Sequence, residues 1–264
     1  MSRLLESLVA QQYDDLEVIV VDQNEDERIA ELLAPWQRQL SVVRLQSPRG
    51  LSRARNRGVA AAAGDIIGFP DDDCRYPPRL LADVAAVFGA EPDLDAVAGR
   101  TVDADGTPTA ASWAAKPGCI DIRSVWRRAV SASIFLRRSV LERVGEFDES
   151  LGLGSGTPFG SGEETDYLIR ALRAGCTIDY RPALAVIHDE PIGQAGDPAR
   201  RGYAYGMGMG RVLRKHRLPP WVLMYWLARP LGGALISVVR REPGRARYHL
   251  AVVRGRAAGW IAKP

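Results

Sequence analysis

The chain has 264 residues, 46% of them hydrophobic and 25% charged, which is enough for a substantial core and too apolar for a disordered chain. The formal net charge of +3 conceals a division: residues 200–264 carry fourteen basic side chains against the single acid Glu242, or +13, which leaves −10 for residues 1–199. Three cysteines, Cys74, Cys119 and Cys176, lack paired metal-ligand spacing and point to a reduced compartment.

Residues 1–13 read as a helix with Leu4, Leu5, Leu8 and Val9 on one face. The run from Leu16 to Val21 predicts a strand ending in Asp22, and Ser41 to Leu45 a second one. Between them Glu25 to Ala34 is expected to be helical, stopped by Pro35. A helix is predicted over Leu51 to Ala63, with Ser52 as its N-cap and Gly64 as its stop, followed by a short strand from Asp65 to Phe69. Alternating strands and helices predict a mostly parallel sheet covered on both faces. Ligands of such sheets bind at the carboxyl ends of the strands, where Asp22 falls.

Asp71, Asp72 and Asp73 follow the last of these strands directly. On an extended chain Asp71 and Asp73 project to one side, and paired hard carboxylates suit Mg²⁺ or Mn²⁺. The alternative is a solvated acidic turn, since Pro70, Pro77 and Pro78 flank the triplet. Further on, a glycine-rich loop from Gly152 to Gly162 leads into Glu163-Glu164-Thr165-Asp166, which opens a helix running to Gly175. Acids in a first helical turn suit the positive end of the helix dipole, while such a loop lets backbone or substrate approach closely. His188 ends the apolar run Ala185-Val186-Ile187, either as a metal or diphosphate contact or as a packing residue.

Taken together, Leu5 to Leu8 with Gln11, Glu17 to Asp22, Gly50-Leu51-Ser52 with Ala54 to Gly58, Phe69 to Asp73, Gly145 with Phe147-Asp148, and Gly162 to Glu164 with Asp166 resemble the family 2 glycosyltransferases. The likeness extends over roughly residues 1–190, including Arg170 to Gly175. It implies an α/β fold of the GT-A type, a Rossmann-like mixed sheet, and an inverting, metal-dependent transfer of a hexosyl or deoxyhexosyl group. The donor is a nucleotide diphosphate sugar and the acceptor a glycan or lipid-linked hydroxyl, in polysaccharide or cell-envelope synthesis.

The same resemblance assigns roles. Asp71 and Asp73, with Asp72 between them, match the Asp-x-Asp element that holds Mn²⁺ or Mg²⁺ and the donor. His188 is a further candidate metal ligand, and Asp22, Arg55 and Asn56 are candidate donor contacts. Glu164 matches the family's catalytic base, with Glu163 and Asp166 as the other candidates, since Glu here replaces the usual Asp. Asp166 has a second expected role, orienting Arg170 at i,i+4 spacing. Family members open with an apolar strand and a turn that holds the base, whereas this chain begins in the helix after them. The expectation is a start recorded downstream of the true one; the alternative is an N-terminally truncated, non-catalytic nucleotide-sugar-binding or scaffolding protein. A nucleotidyltransferase would need a triphosphate loop that the sequence does not resemble.

The expected organisation is a catalytic domain over residues 1–199, lacking its first strand, and a basic amphipathic helical tail over 200–264. Within the tail, Trp221 to Ala228 and Leu231 to Val239 are apolar runs separated by Arg229-Pro230. Neither run alone spans a bilayer, and the Arg-Pro pair predicts a break between them. Aromatics beside arginines predict peripheral attachment to an anionic cytoplasmic membrane surface, against the alternative of a basic hairpin packed on the domain. Nucleic acid is not an expected partner, because the acidic triplet repels phosphate and no zinc or RNA-binding signature is present.

Overall fold

The computed structural model describes residues 1–109, 113–188 and 197–262. It divides into two compact units, one of Met1–Pro48, Ala54–Phe147 and Tyr167–Ile192, the other of Arg49–Arg53, Asp148–Asp166 and Gly193–Pro264.

In chain order the elements are α1 (Ser2–Val9), β1 (Glu17–Asp22), α2 (Arg28–Leu33), β2 (Ser41–Gln46), α3 (Leu51–Ala61), β3 (Ile66–Gly68), β4 (Cys74–Arg75), α4 (Leu80–Ala90), β5 (Ala96–Val102), β6 (Gly118–Cys119), β7 (Ile134–Arg137), α5 (Arg138–Val144), α6 (Glu163–Arg173) and β8 (Ile178–His188), followed by α7 (Pro198–Lys215), α8 (Pro220–Val239) and α9 (Pro243–Ile261). The strands of the first unit form two sheets. β1 and β2 pair in parallel, from Glu17 with Ser41 to Asp22 with Gln46. The others follow the order β3-β7-β5-β8-β4, with β6 also on β8. Among the described residues only β5 and β8 run parallel there, while β7 enters antiparallel to both β3 and β5. The mostly parallel expectation drawn from strand and helix alternation is therefore corrected, and the mixed sheet that the family resemblance implied is the one that forms, because apolar runs reveal strands but not their direction.

Helix α1 serves both sheets because its apolar residues fall three and four apart. Leu5 packs with Val20 and Leu33, whereas Leu4 and Leu8 join Cys74, Tyr76, Phe135 and Val186. Just beyond it the buried Gln11 donates from Nε2 to the carbonyls of Tyr76 and Pro77, at 3.2 and 2.8 Å, and accepts from the Leu81 amide at 3.1 Å. The segment after the acidic triplet is thus pinned to α1.

Ser52 is not the N-cap of α3, which already includes Leu51. Its hydroxyl instead donates to the Leu151 carbonyl at 2.8 Å. A cap position is set by where the backbone leaves helical geometry, and the sequence does not fix that to one residue.

In the second unit, α7 and α9 pack through glycine. A Cβ on Gly210 would lie 2.2 Å from the Arg256 carbonyl, and one on Gly259 2.1 Å from that of Met207. The helix also meets the glycine-rich loop closely, since a Cβ on Gly208 would fall 2.1 Å from the Ser161 carbonyl, while Gly152, Gly154, Gly156 and Gly162 of the loop itself have positive φ. Helix α8 runs unbroken through Pro230, which corrects the expected break. Proline cannot donate to the carbonyl four residues earlier. That carbonyl, of Trp226, instead accepts from Nη1 of Arg256 on α9, and the same guanidinium lies 5.6 Å from the Trp226 ring centroid.

Candidate functional site

In the first unit, β4 and β8 bring the acidic triplet to the histidine. Cys74 pairs with His188 and Arg75 with Ile187. His188 reaches that position because β8 shifts register against β5 at Gly99, where a Cβ would sit 1.7 Å from the Leu184 carbonyl. One ligand atom from each of Asp71, Asp73, Cys74 and His188 then lies within 4.8 Å of the others. Nε2 of His188 is 3.4 Å from an Asp73 oxygen.

This donor set fits the divalent cation that the sequence resemblance implies. Two carboxylates and an imidazole match Mn²⁺ or Mg²⁺. The Cys74 thiol is buried, and its pKa is raised well above the ordinary range by desolvation first and by the charges of Asp71 and Asp73 next. Hard cations such as Mn²⁺ and Mg²⁺ prefer oxygen to sulfur, which makes this thiol a poor ligand beside the carboxylates. Asp72 is exposed on the same turn, which closes with the Cys74 amide donating to the Asp71 carbonyl at 3.1 Å.

Asp22 lies at the end of β1 with its side chain fully buried. One oxygen accepts from the Asn24 amide at 2.9 Å and from the Asn24 side chain at 2.8 Å. The other accepts from Nε of Arg44 at 3.0 Å and from Gln46 at 3.3 Å. Burial pushes the carboxyl up, but these donors more than offset it and hold the pKa below its ordinary value. Asp22 thus stays ionised, its oxygens engaged by β2 and by its own turn.

The two donor candidates on α3 differ. Arg55 is buried, with its guanidinium 6.0 Å from the ring of Phe69, just before the triplet, and 5.6 Å from that of Phe147. Phe147 in turn stacks on Tyr167 at 4.2 Å. Asn56 clasps the main chain of Phe147, donating to its carbonyl at 3.0 Å and accepting from its amide at 2.7 Å. Arg55 is a cation held on an aromatic stack, and Asn56 fixes that stack in place.

In the second unit the acids of α6 have distinct surroundings. Glu163 is buried at the first position of the helix, with its carboxylate against Gly152, where a Cβ would lie 3.1 Å away. Glu164 is half-buried. Asp166 is fully buried, its Oδ1 2.7 Å from Nζ of Lys215 and 2.8 Å from Nε2 of His216. Lys215 also donates to Asp148 at 2.6 Å. Lys215 and His216 are the residues that sequence reasoning missed, because they stand fifty positions away in a segment read only for its overall charge. Arg170, the expected partner of Asp166, donates to the carbonyls of Val144 and Glu146 at 3.0 and 2.7 Å.

Residues 1–145 match the family model described as glycosyl transferase family 2. The pre-mycofactocin glycosyltransferase of Mycobacterium tuberculosis is 29% identical over 211 residues, covering 72% of this chain and 43% of that protein. The chain spans about half the length of the curated relatives it matches. Among solved structures, a mannosyltransferase from Pyrobaculum calidifontis in complex with GDP-Man and Mn²⁺ is similar with a TM-score of 0.66 and 17% identity, covering 97% of this chain and 82% of that one. The S. aureus TarS 1–349 structure in complex with UDP-GlcNAc gives 0.60 and 15%, covering 97% and 86%. Such identities speak to the fold alone, but a family model matching more than half the chain speaks to descent. The chain belongs to glycosyl transferase family 2 and has its GT-A fold.

Proposed function

We propose that the protein transfers a hexosyl or deoxyhexosyl group from a nucleotide diphosphate sugar to an acceptor hydroxyl, with inversion at the anomeric carbon. The observation that carries this reading is the convergence of Asp71, Asp73 and His188 ligand atoms within 4.8 Å in a chain of this family. A bound Mn²⁺ or Mg²⁺ would neutralise the charge that gathers on the departing nucleoside diphosphate. Asp71 and Asp73 supply the carboxylates for it and His188 the imidazole, with Asp72 beside them on the donor side. Arg55 offers its buried cation to the diphosphate, and Asn56 supports the aromatic stack beneath it. Asp22 marks the nucleoside end at the rim of β1, acting through Asn24 and Arg44, which its buried carboxylate holds.

Glu164 takes the acceptor proton. It is half-buried in the positive first turn of α6, whereas Asp166 is engaged by Lys215 and His216 and Glu163 is packed against Gly152. The relatives' names support the chemistry: one neighbour holds GDP-Man and Mn²⁺ and another UDP-GlcNAc. The acceptor is read as a glycan or lipid-linked hydroxyl of the cell envelope. The protein would work in the cytoplasm, peripheral at the inner face of the membrane, with residues 1–199 catalytic and 200–264 its tail.

One observation favours a second reading, binding without turnover: β1 and β3 lie in different sheets, so among the described residues no ladder joins the Asp22 strand to the strand that delivers the triplet. Donor hydrolysis over a panel of nucleotide sugars, with Mn²⁺, Mg²⁺ or chelator, separates the two. Turnover that is lost with chelator and with Asp73→Ala, and falls about 10²–10⁴-fold with Glu164→Gln, supports the enzyme. Nucleotide binding with no turnover of any donor supports the second reading.

A further inference from the structure

Helix α8 presents an unusual distribution of apolar residues. Its buried positions, Trp226, Pro230, Ala234 and Ser237, are spaced four, four and three apart and form one stripe. That stripe is fastened to α9: Arg256 donates to the Trp226 carbonyl, and a Cβ on Gly233 would lie 2.7 Å from the His249 ring. The opposite face is apolar as well. Trp221 is 57% exposed, Met224 64%, Leu235 70%, Ile236 56% and Val239 83%. Arg229 alone brings charge to the exposed positions between Trp221 and Val239, and its guanidinium turns toward the Tyr225 hydroxyl at 3.3 Å. A face this continuous marks an interaction surface.

We infer that the outer face of α8 lies in the plane of an anionic lipid surface, with its apolar side chains in the acyl boundary and the flanking arginines among the headgroups. Exposed Arg214 and Arg217 precede the helix, and exposed Arg240 and Arg241 follow it. Residues 200–264 carry fourteen basic side chains against one acid, so a second copy would set like charges against each other, while anionic headgroups complement them. The inference deepens the membrane location read above by naming the surface responsible, and it does not depend on the catalytic assignment.

The geometry also selects lying over spanning. A helix of 20 residues is about 30 Å long, which matches the hydrocarbon thickness. Insertion across the bilayer would carry the attached α9 with it, including Arg245, Arg247, Arg254 and Arg256, each of them costly in hydrocarbon. An in-plane helix buries only its outer face and leaves that attachment intact.

The test is flotation of the full chain with vesicles of phosphatidylcholine alone or mixed with phosphatidylglycerol, beside carbonate extraction, light scattering and nucleotide-binding calorimetry. The expected result is flotation with the mixed vesicles only, release by carbonate, and a loss of about tenfold or more for Leu235→Glu with its melting temperature unchanged. Arg240→Glu with Arg247→Glu should weaken flotation in the same direction and reduce its salt dependence. Absence of flotation by the wild type, equal flotation by Leu235→Glu, retention after carbonate, or a dimer that Leu235→Glu dissolves would each overturn the inference. Nucleotide binding reports on the donor site separately, and Leu235→Glu should leave it unchanged.

Discussion

Nζ of Lys215 stands 2.7 Å from Oδ1 of the buried Asp166, and the same ammonium is 2.6 Å from Oδ2 of Asp148. One cation at the end of α7 therefore joins the start of α6 to the turn after Phe147, with His216 as the second partner of Asp166. Removing it leaves two carboxylates facing a poorly solvated space. Lys215→Met is expected to cost roughly 3 kcal/mol, the lower part of the range for breaking a buried pair, because His216 remains. The double variant Lys215→Met with Asp166→Asn should be more stable than Lys215→Met alone. Denaturant melts of the four species check this, and additive losses would show that the two groups do not interact.

Acid stability follows from the same contacts. Burial raises the Asp148 pKa, but hydrogen bonds from Lys215 and Ser150 outweigh it and leave the folded value below the ordinary 3.8. A carboxyl depressed on folding stabilises the native state fully above its unfolded pKa and loses that contribution as pH falls through the folded value. The wild type should therefore be insensitive to this group above about pH 4 and weaken below it. In Lys215→Met the acid-side slope should become shallower. An identical slope in both proteins would remove Asp148 from the account.

Much of the fold was legible because local signals agreed with tertiary ones. The runs 17–22, 41–46 and 66–68 form strands where alternation and apolar content put them, and α2, α3 and α6 lie within a few residues of their predicted spans. What escaped depends on pairing between distant segments. The antiparallel entry of β7, the register that sets Cys74 beside His188, and the Lys215 clamp are all non-local, and no periodicity encodes them. Pro230 misled for another reason: the rule that proline breaks a helix assumes that its orphaned carbonyl finds no partner, and Arg256 supplies one. At the site, residue types announced the triplet, whereas the contacts of Asp166 with Lys215 and His216 could not be read from the chain.

His188 should matter to metal affinity independently of turnover. Its Nε2 lies 3.4 Å from Asp73, within the group whose ligand atoms fall within 4.8 Å of one another. His188→Ala should weaken Mn²⁺ binding at least about tenfold, since even outer groups at metal sites are worth that much. Cys74→Ala should change it far less, because a hard cation prefers the carboxylate oxygens to sulfur. Electron paramagnetic resonance titration of Mn²⁺ reads both, and unchanged affinity in His188→Ala would exclude the imidazole from the site.

Glycine requirements in the helical unit are position-specific. A Cβ on Gly259 would meet the Met207 carbonyl at 2.1 Å, a backbone atom that cannot turn aside, while one on Gly232 would meet nothing within 4 Å. Gly259→Ala is expected to destabilise by about 1–3 kcal/mol or more through overpacking. Gly232→Ala should instead stabilise by up to about 1 kcal/mol, the helix-propensity difference. Thermal melts of the two variants give opposite signs if α7 and α9 pack as described.

The link between Pro230 and Arg256 makes the sharpest energetic prediction. In the wild type, the Trp226 carbonyl has lost its helical donor to the proline ring and accepts from Arg256 instead. The guanidinium meets a cost there, since burial lowers its pKa to about 10. Arg256→Met removes that donor, a loss of about 1–3 kcal/mol for a buried acceptor that gives up such a bond. Pro230→Ala restores a backbone N–H to the same carbonyl, so Arg256 becomes redundant as a donor. In the Pro230→Ala background, Arg256→Met should therefore cost less by about 1 kcal/mol or more, the coupling expected of residues sharing one partner. A double-mutant cycle measured by denaturant unfolding gives that coupling directly. A value near zero would mean that α8 bridges its proline by some other means, and that Arg256 holds α9 to α8 only through the Trp226 ring.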